Sequence, residues 1–128
     1  MPLTPTEKTI LVVDDDALVR QYVIKVLAGE GYQVYDAHGG VPGFSCFLEH
    51  ADEIDLVFTD VVMPELSGPE MVDRILRHRP KVKILFMTGY SSADTAKAHP
   101  HCGVLHKPFT KTAMLSCVQE CLRNTAQP

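Results

Sequence analysis

Asp55-Leu56-Val57-Phe58-Thr59-Asp60-Val61-Val62-Met63-Pro64-Glu65-Leu66-Ser67-Gly68 is an apolar, strand-like run that delivers one carboxylate, Asp60, to a loop. Val57 and Phe58 favour a buried extended segment. Met63-Pro64 forbids its continuation, because proline lacks the amide proton that a ladder needs. Asp60 therefore falls at or just past the carboxyl end of a strand. In an open α/β sheet, that edge is where ligands bind.

Upstream, Thr9 to Val13 contains Ile10-Leu11-Val12-Val13 and reads as a strand buried on both faces. Asp14-Asp15-Asp16 ends it. Asp16 is a natural N-cap for a helix whose apolar pairs, Leu18-Val19, Tyr22-Val23 and Val26-Leu27, recur up to the Gly29-Glu30-Gly31 stop. Tyr32 to Asp36 reads as a second strand, Gly39-Gly40 as a break, and Pro42 as lying near the first turn of a short helix to about His50. Downstream of the central strand, expected over Asp55 to Thr59, Pro69 with Met71-Val72 and Ile75-Leu76 marks a helix that ends before Pro80. Val82 to Met87 is a fourth strand leading into Thr88-Gly89-Tyr90, and Ser91 to Ala98 has room for one or two helical turns. Gly103 to His106 is a short fifth strand. Thr110 caps a last helix with the stripe Met114-Leu115, Val118 and Cys121-Leu122. This alternation predicts parallel crossovers with helices on both faces of one α/β domain over residues 8–123, flanked by tails at 1–7 and 124–128.

Composition narrows the class. A chain of 128 residues with 45% hydrophobic content suits one domain with a real core. A net charge of -4 and a pI near 5.8 give no reason to expect a nucleic-acid surface. Met1-Pro2-Leu3-Thr4-Pro5-Thr6-Glu7-Lys8 lacks the basic start and apolar centre of a signal peptide, and no apolar run approaches the roughly 20 residues of a membrane span. A cytoplasmic protein is expected. Cys46, Cys102, Cys117 and Cys121 form no Cys-x-x-Cys framework and are read as reduced thiols. Cys117 and Cys121 with His99, His101 and Cys102 match no closed zinc ligand set.

Right-handed crossovers put all strand carboxyl ends on one edge, which gathers Asp14 and Asp15, Asp60, Thr88 and Lys107. If the strands run 2-1-3-4-5, the first and third are neighbours and the acids meet. Two carboxylates about 4 Å apart repel by roughly 4 kcal/mol at an effective dielectric of 20, which a hard divalent cation relieves. Mg2+ prefers few carboxylates, several waters and a phosphate oxygen, and it suits such a pocket better than calcium does. Lys107 can neutralise an incoming phosphoryl oxygen, Thr88 can donate a hydroxyl hydrogen bond, and Asp60 can serve as a carboxylate nucleophile. Singly, each of these residues would read as a cap, a turn residue or a solvated charge; their return to one edge is what changes the reading.

Together, Asp14-Asp15, Asp60 with Met63-Pro64 and Gly68, Thr88, and Lys107-Pro108-Phe109 resemble the signature of the receiver domain of two-component response regulators, over about residues 8 to 123. The resemblance implies a flavodoxin-like (βα)5 fold with a five-stranded parallel sheet in the order 2-1-3-4-5. It implies that Asp60 accepts a phosphoryl group from a sensor histidine kinase or a histidine phosphotransfer protein. It further implies Mg2+ held by Asp15, Asp60 and the Val62 backbone carbonyl, with Asp14 acting largely through water, and a cis Lys107-Pro108 bond. Receivers generally carry an aromatic residue three positions before the lysine, and Val104 stands there instead. The segment from Thr88 to Lys107 is short for a full fourth helix and contains His99-Pro100-His101, so a shortened or irregular helix is expected over Ser91 to His101, with a departure from the common output surface.

Phe86-Met87-Thr88-Gly89-Tyr90-Ser91 resembles receivers of hybrid sensor kinases and some single-domain regulators, and a stand-alone receiver or a piece of a hybrid kinase is expected, without a DNA-binding or enzymatic output module after Leu122. The expectation is a switch that acts through protein contacts with an output protein, without nucleic acid or membrane, as a monomer or weak dimer. Val62 and Tyr90 flank the site, and apolar Val62 cannot orient a water, which suggests slow self-hydrolysis. Two rival readings stand beside this one. A haloacid dehalogenase type phosphatase would use Asp14 as nucleophile, Asp16 as acid, and Thr88 and Lys107 on phosphate. A phosphorylation-independent adaptor would keep a vestigial pocket.

Overall fold

Ile10, Leu11, Val12 and Val13 are inaccessible to solvent, which fits a strand covered on both faces. A computed structural model describes residues 8–89 and 103–123. It contains β1 (Thr9–Val13), α1 (Ala17–Gly29), β2 (Gln33–Ala37), α2 (Gly40–Glu49), β3 (Leu56–Asp60), α3 (Gly68–His78), β4 (Lys83–Thr88), β5 (Gly103–His106) and α4 (Lys111–Arg123). The strands form one parallel sheet in the order β2-β1-β3-β4-β5, as the resemblance implied. The expected helical turns and irregularity over Ser91 to His101 lie outside the described residues. Among the described residues, no helix is long and apolar enough to cross a membrane.

Alternation along the strands divides the core in two. Leu11, Val13, Val57, Ile84 and Phe86 face Phe47 of α2 and Met71, Val72 and Ile75 of α3. Ile10, Val12, Leu56, Phe58, Leu85 and Met87 join Val23 and Leu27 of α1 and Met114 and Val118 of α4 on the other side. The central strands can be apolar throughout because each face has its own helical layer.

Several boundaries move from those expected, each for a local reason. Asp55 stands outside β3, and its Oδ2 accepts the Thr9 N–H at 2.8 Å, tying the entry of β3 to that of β1. Asp60 closes β3 and does not follow it. Thr88 likewise ends β4, and Ala37 extends β2 while Tyr32 precedes it. Helix α2 begins before Pro42, where the Gly43 N–H reaches back to the Gly39 carbonyl at 2.8 Å. Asp16 caps α1 as expected, accepting from the Leu18 and Val19 N–H groups. Gly31 takes φ 96 beyond the end of α1, a left-handed conformation that glycine adopts cheaply.

At the amino edge of the sheet, the Arg79 guanidinium donates from Nη1 to the carbonyls of Ala51 and Ile54 and closes the α2-to-β3 connection. Charge-assisted hydrogen bonds to partly buried carbonyls are worth more than neutral ones. Arg79→Met is expected to destabilise the fold by about 2 kcal/mol, or ~8 °C in melting temperature. The exposed Arg77→Met should change it little, and equal melting temperatures for the two variants would refute this role.

Candidate functional site

Each carboxyl end of the inner strands delivers one group to the same place. At β1, the Asp14 N–H donates to the Ala37 carbonyl at 3.2 Å, so the sheet holds Asp14 just past its last rung. Its carboxylate is wholly buried: Oδ1 accepts the Asp16 N–H at 2.9 Å and Oδ2 lies 3.3 Å from Lys107 Nζ. Asp15 is exposed beside it, and Asp16 turns away to cap α1. One acidic triplet thus supplies a buried anion, an exposed anion and a helix cap.

At β3, Asp60 Oδ1 accepts the Val61 N–H at 2.8 Å and Oδ2 lies 3.3 Å from Lys107 Nζ. Its carbonyl accepts the Thr59 hydroxyl at 2.9 Å. Helix α3 starts against this strand end, and a Cβ on Gly68 would collide with the Asp60 carbonyl. The Gly68 N–H donates to the Val61 carbonyl at 2.8 Å. Glycine is needed here for close backbone approach. A reciprocal capping box, Ser67 Oγ with the Glu70 N–H and Glu70 Oε1 with the Ser67 N–H, fixes the first turn of α3.

Thr88 is buried at the end of β4, and its carbonyl accepts the Lys107 N–H at 2.8 Å. The Lys107-Pro108 peptide bond is cis. Lys107 Nζ stands between Asp14 and Asp60, and one oxygen from each of Asp14, Asp15 and Asp60 falls within 4.8 Å of the others. Three carboxylates against one ammonium leave a formal charge of about -2. Burial and then the Asp14 charge raise the Asp60 pKa above its ordinary 3.8, outweighing Lys107 and the Val61 N–H. Burial disfavours the Lys107 ammonium, but Asp60 and Asp14 together raise its pKa. An all-oxygen donor set with one exposed member suits a hard divalent cation that keeps some of its waters.

The other sequence candidates are elsewhere. Val62 is exposed beside the pocket, and Tyr90 is outside the described residues. Val104 is partly buried and packs on the α2 and α3 side, in register with Phe86. Cys46, Cys117 and Cys121 are free thiols, and burial pushes Cys121 up to about 11. Cys102, His99 and His101 are outside the described residues. Among the described residues, Asp14, Asp15 and Asp60 form the only group of three potential metal ligands. Sequence reasoning missed Arg20, whose Nη1 donates to the Asp14 carbonyl at 2.8 Å and whose Nε pairs with Asp36 at 3.1 Å. Its place one helical turn beyond Asp16 was the available signal.

A family model described as the response regulator receiver domain matches residues 10–119. The chain belongs to that family. The receiver is 34% identical over 117 residues to the sensor kinase CckA of Brucella abortus, covering 89% of this chain but 12% of that protein. It is 30% identical over 118 residues to the response regulator receiver protein CpdR of the same organism, covering 90% of this chain and 97% of CpdR. The crystal structure of the chemotaxis protein CheY4 of Vibrio cholerae superposes with a TM-score of 0.84 at 29% identity, over 91% of this chain and 99% of that one. The receiver is thus a phosphoacceptor signal receiver of two-component signalling.

Because the folded-state pKa of Asp60 lies above the unfolded value, its ionisation costs stability, and the cost sets in as pH rises through and beyond 3.8. Asp60→Asn removes that cost. In chelator at about pH 7 it should raise the melting temperature, and the difference should shrink as pH falls toward 3.8. A lower melting temperature for Asp60→Asn at neutral pH would contradict the assigned electrostatics.

Proposed function

We propose that Asp60 is the phosphoacceptor, taking its phosphoryl group in the cytoplasm from the phosphohistidine of a sensor histidine kinase or a histidine phosphotransfer protein. The observation that carries this reading is the Lys107 ammonium, 3.3 Å from both Asp14 and Asp60 in a pocket that remains short of positive charge. An Asp60 oxygen attacks phosphorus, the P–N bond to the donor imidazole breaks, and the imidazole leaves with the electron pair. Lys107 then neutralises a phosphoryl oxygen, and the Thr88 hydroxyl donates to another. Asp14, Asp15, Asp60 and the Val62 backbone carbonyl would hold Mg2+, which when bound supplies charge for the acids and the transferring oxygens. The exposed carboxylate and the -2 charge support that assignment.

Phosphorylation leaves about -1.5 to -2 charge at Asp60. Drawing Thr88 and Lys107 toward it would change the surface formed by β5, α4 and the segment after β4. Val104, lacking an aromatic ring, supports a route for that change that differs from the usual one. Asp14 is a poor candidate for the nucleophile of a phosphatase, since it has no solvent exposure and its oxygens are engaged by the Asp16 N–H and Lys107.

Labelling with acetyl phosphate or a phosphorylated histidine kinase tests the reading. Wild type should incorporate label with Mg2+ and none with chelator, Asp60→Asn should incorporate none, and the acyl phosphate should map to Asp60. Label on Asp14 would support the phosphatase, and no label under any condition would support the adaptor. Val62→Asn, placing a polar group at an exposed position beside the pocket, should shorten the lifetime of the label severalfold, as followed by its Mg2+-dependent loss.

A further inference from the structure

Arg20 takes no part in the phosphoryl chemistry, yet it grips the loop that carries two of the three acids. Its side chain is 16% exposed, while that of its partner Asp36, on β2, is about half exposed. The guanidinium joins three elements: the end of β1 through the Asp14 carbonyl, the first turns of α1 through its own backbone, and β2 through Asp36.

The three carboxylates of the pocket are not held alike. Asp14 receives the Asp16 N–H and Lys107, and Asp60 receives the Val61 N–H and Lys107. Among the described residues no hydrogen bond to the Asp15 carboxylate is found, so the main chain at Asp15 weighs heavily in placing it. The peptide entering Asp15 is the one whose carbonyl Arg20 holds. Rotation of that peptide would swing the Asp15 carboxylate out of the cluster. Mg2+ demands near-ideal octahedral geometry and tolerates such a displacement poorly.

We propose that Arg20, oriented by Asp36, is a positioning residue that holds Asp15 in the metal-binding arrangement and so sets the affinity of the pocket for its divalent cation. The inference rests on the Mg2+ reading given above. Charge alone predicts the opposite sign, since deleting a cation near an acidic cluster should tighten cation binding. Lysine should not substitute, because the two bonds leave adjacent nitrogens of one planar fork and an ammonium is a single point of charge.

Mg2+ titrated calorimetrically into the full chain, well below the melting temperature and with no phosphodonor present, separates these outcomes. Arg20→Met and Arg20→Lys should each weaken Mg2+ binding about tenfold, Asp36→Asn severalfold, and Lys25→Met, at an exposed position of α1, should leave it unchanged. The Mg2+ concentration for half-maximal labelling of Asp60 should rise in parallel, while the rate at saturating Mg2+ is retained. Unchanged or tighter binding by folded Arg20→Met overturns the proposal. If that variant does not fold, Asp36→Asn decides, and wild-type affinity in it overturns the proposal equally. Wild type that binds no Mg2+, or Asp15→Asn that binds as well as wild type, would instead sink the pocket reading and this inference with it.

Discussion

The Lys107 ammonium, shared between Asp14 and Asp60, makes this sheet edge possible. Strands β1 and β3 are neighbours, so their terminal carboxylates are forced together by topology. Two such charges about 4 Å apart would repel by roughly 4 kcal/mol at an effective dielectric of 20, and a buried carboxylate without a partner costs several more. The compensating cation comes from 93 residues away, beyond β5. Its main chain is pinned to Thr88 before its side chain reaches the acids. The ammonium therefore offsets repulsion that the fold itself creates, and it does so incompletely, which leaves an appetite for further positive charge.

The layers of the fold serve that edge. Apolar residues alternate to both faces of the central strands, and among the described residues α2 and α3 cover one face and α1 and α4 the other. Polar groups are thereby concentrated at the ends of the strands, where the ladder stops and loops begin. Among the described residues, no buried side-chain nitrogen or oxygen lacks a hydrogen-bond partner. The acids are thus locally satisfied even where their combined charge is not.

The inner strands β1, β3 and β4 were legible in the sequence because they are buried on both faces and so carry apolar runs with a polar residue at or just past the end, whereas the outer β2 and β5 are shorter on apolar residues and more exposed. Asp60 and Thr88 were legible for the same reason, since each stands where such a run stops, and Lys107 through the Lys107-Pro108-Phe109 motif beyond the short β5. Arg20 was not, because its function depends on β2 and the first turn of α1 approaching the same peptide, and helical periodicity reports only the apolar side of α1. Asp55 reads as the first residue of the central strand, whereas it stands outside β3 and its carboxylate accepts the Thr9 N–H. That contact joins positions 46 residues apart, and no local pattern encodes it.

Gly68 lies against the carbonyl of Asp60, and its N–H returns to Val61. The connection from β3 to α3 is therefore a closed ring, buckled where it leaves the strand and where it enters the helix. A slack loop would dissipate a tug at one end. With both ends fastened, the acid and the root of α3 share one frame with little slack between them.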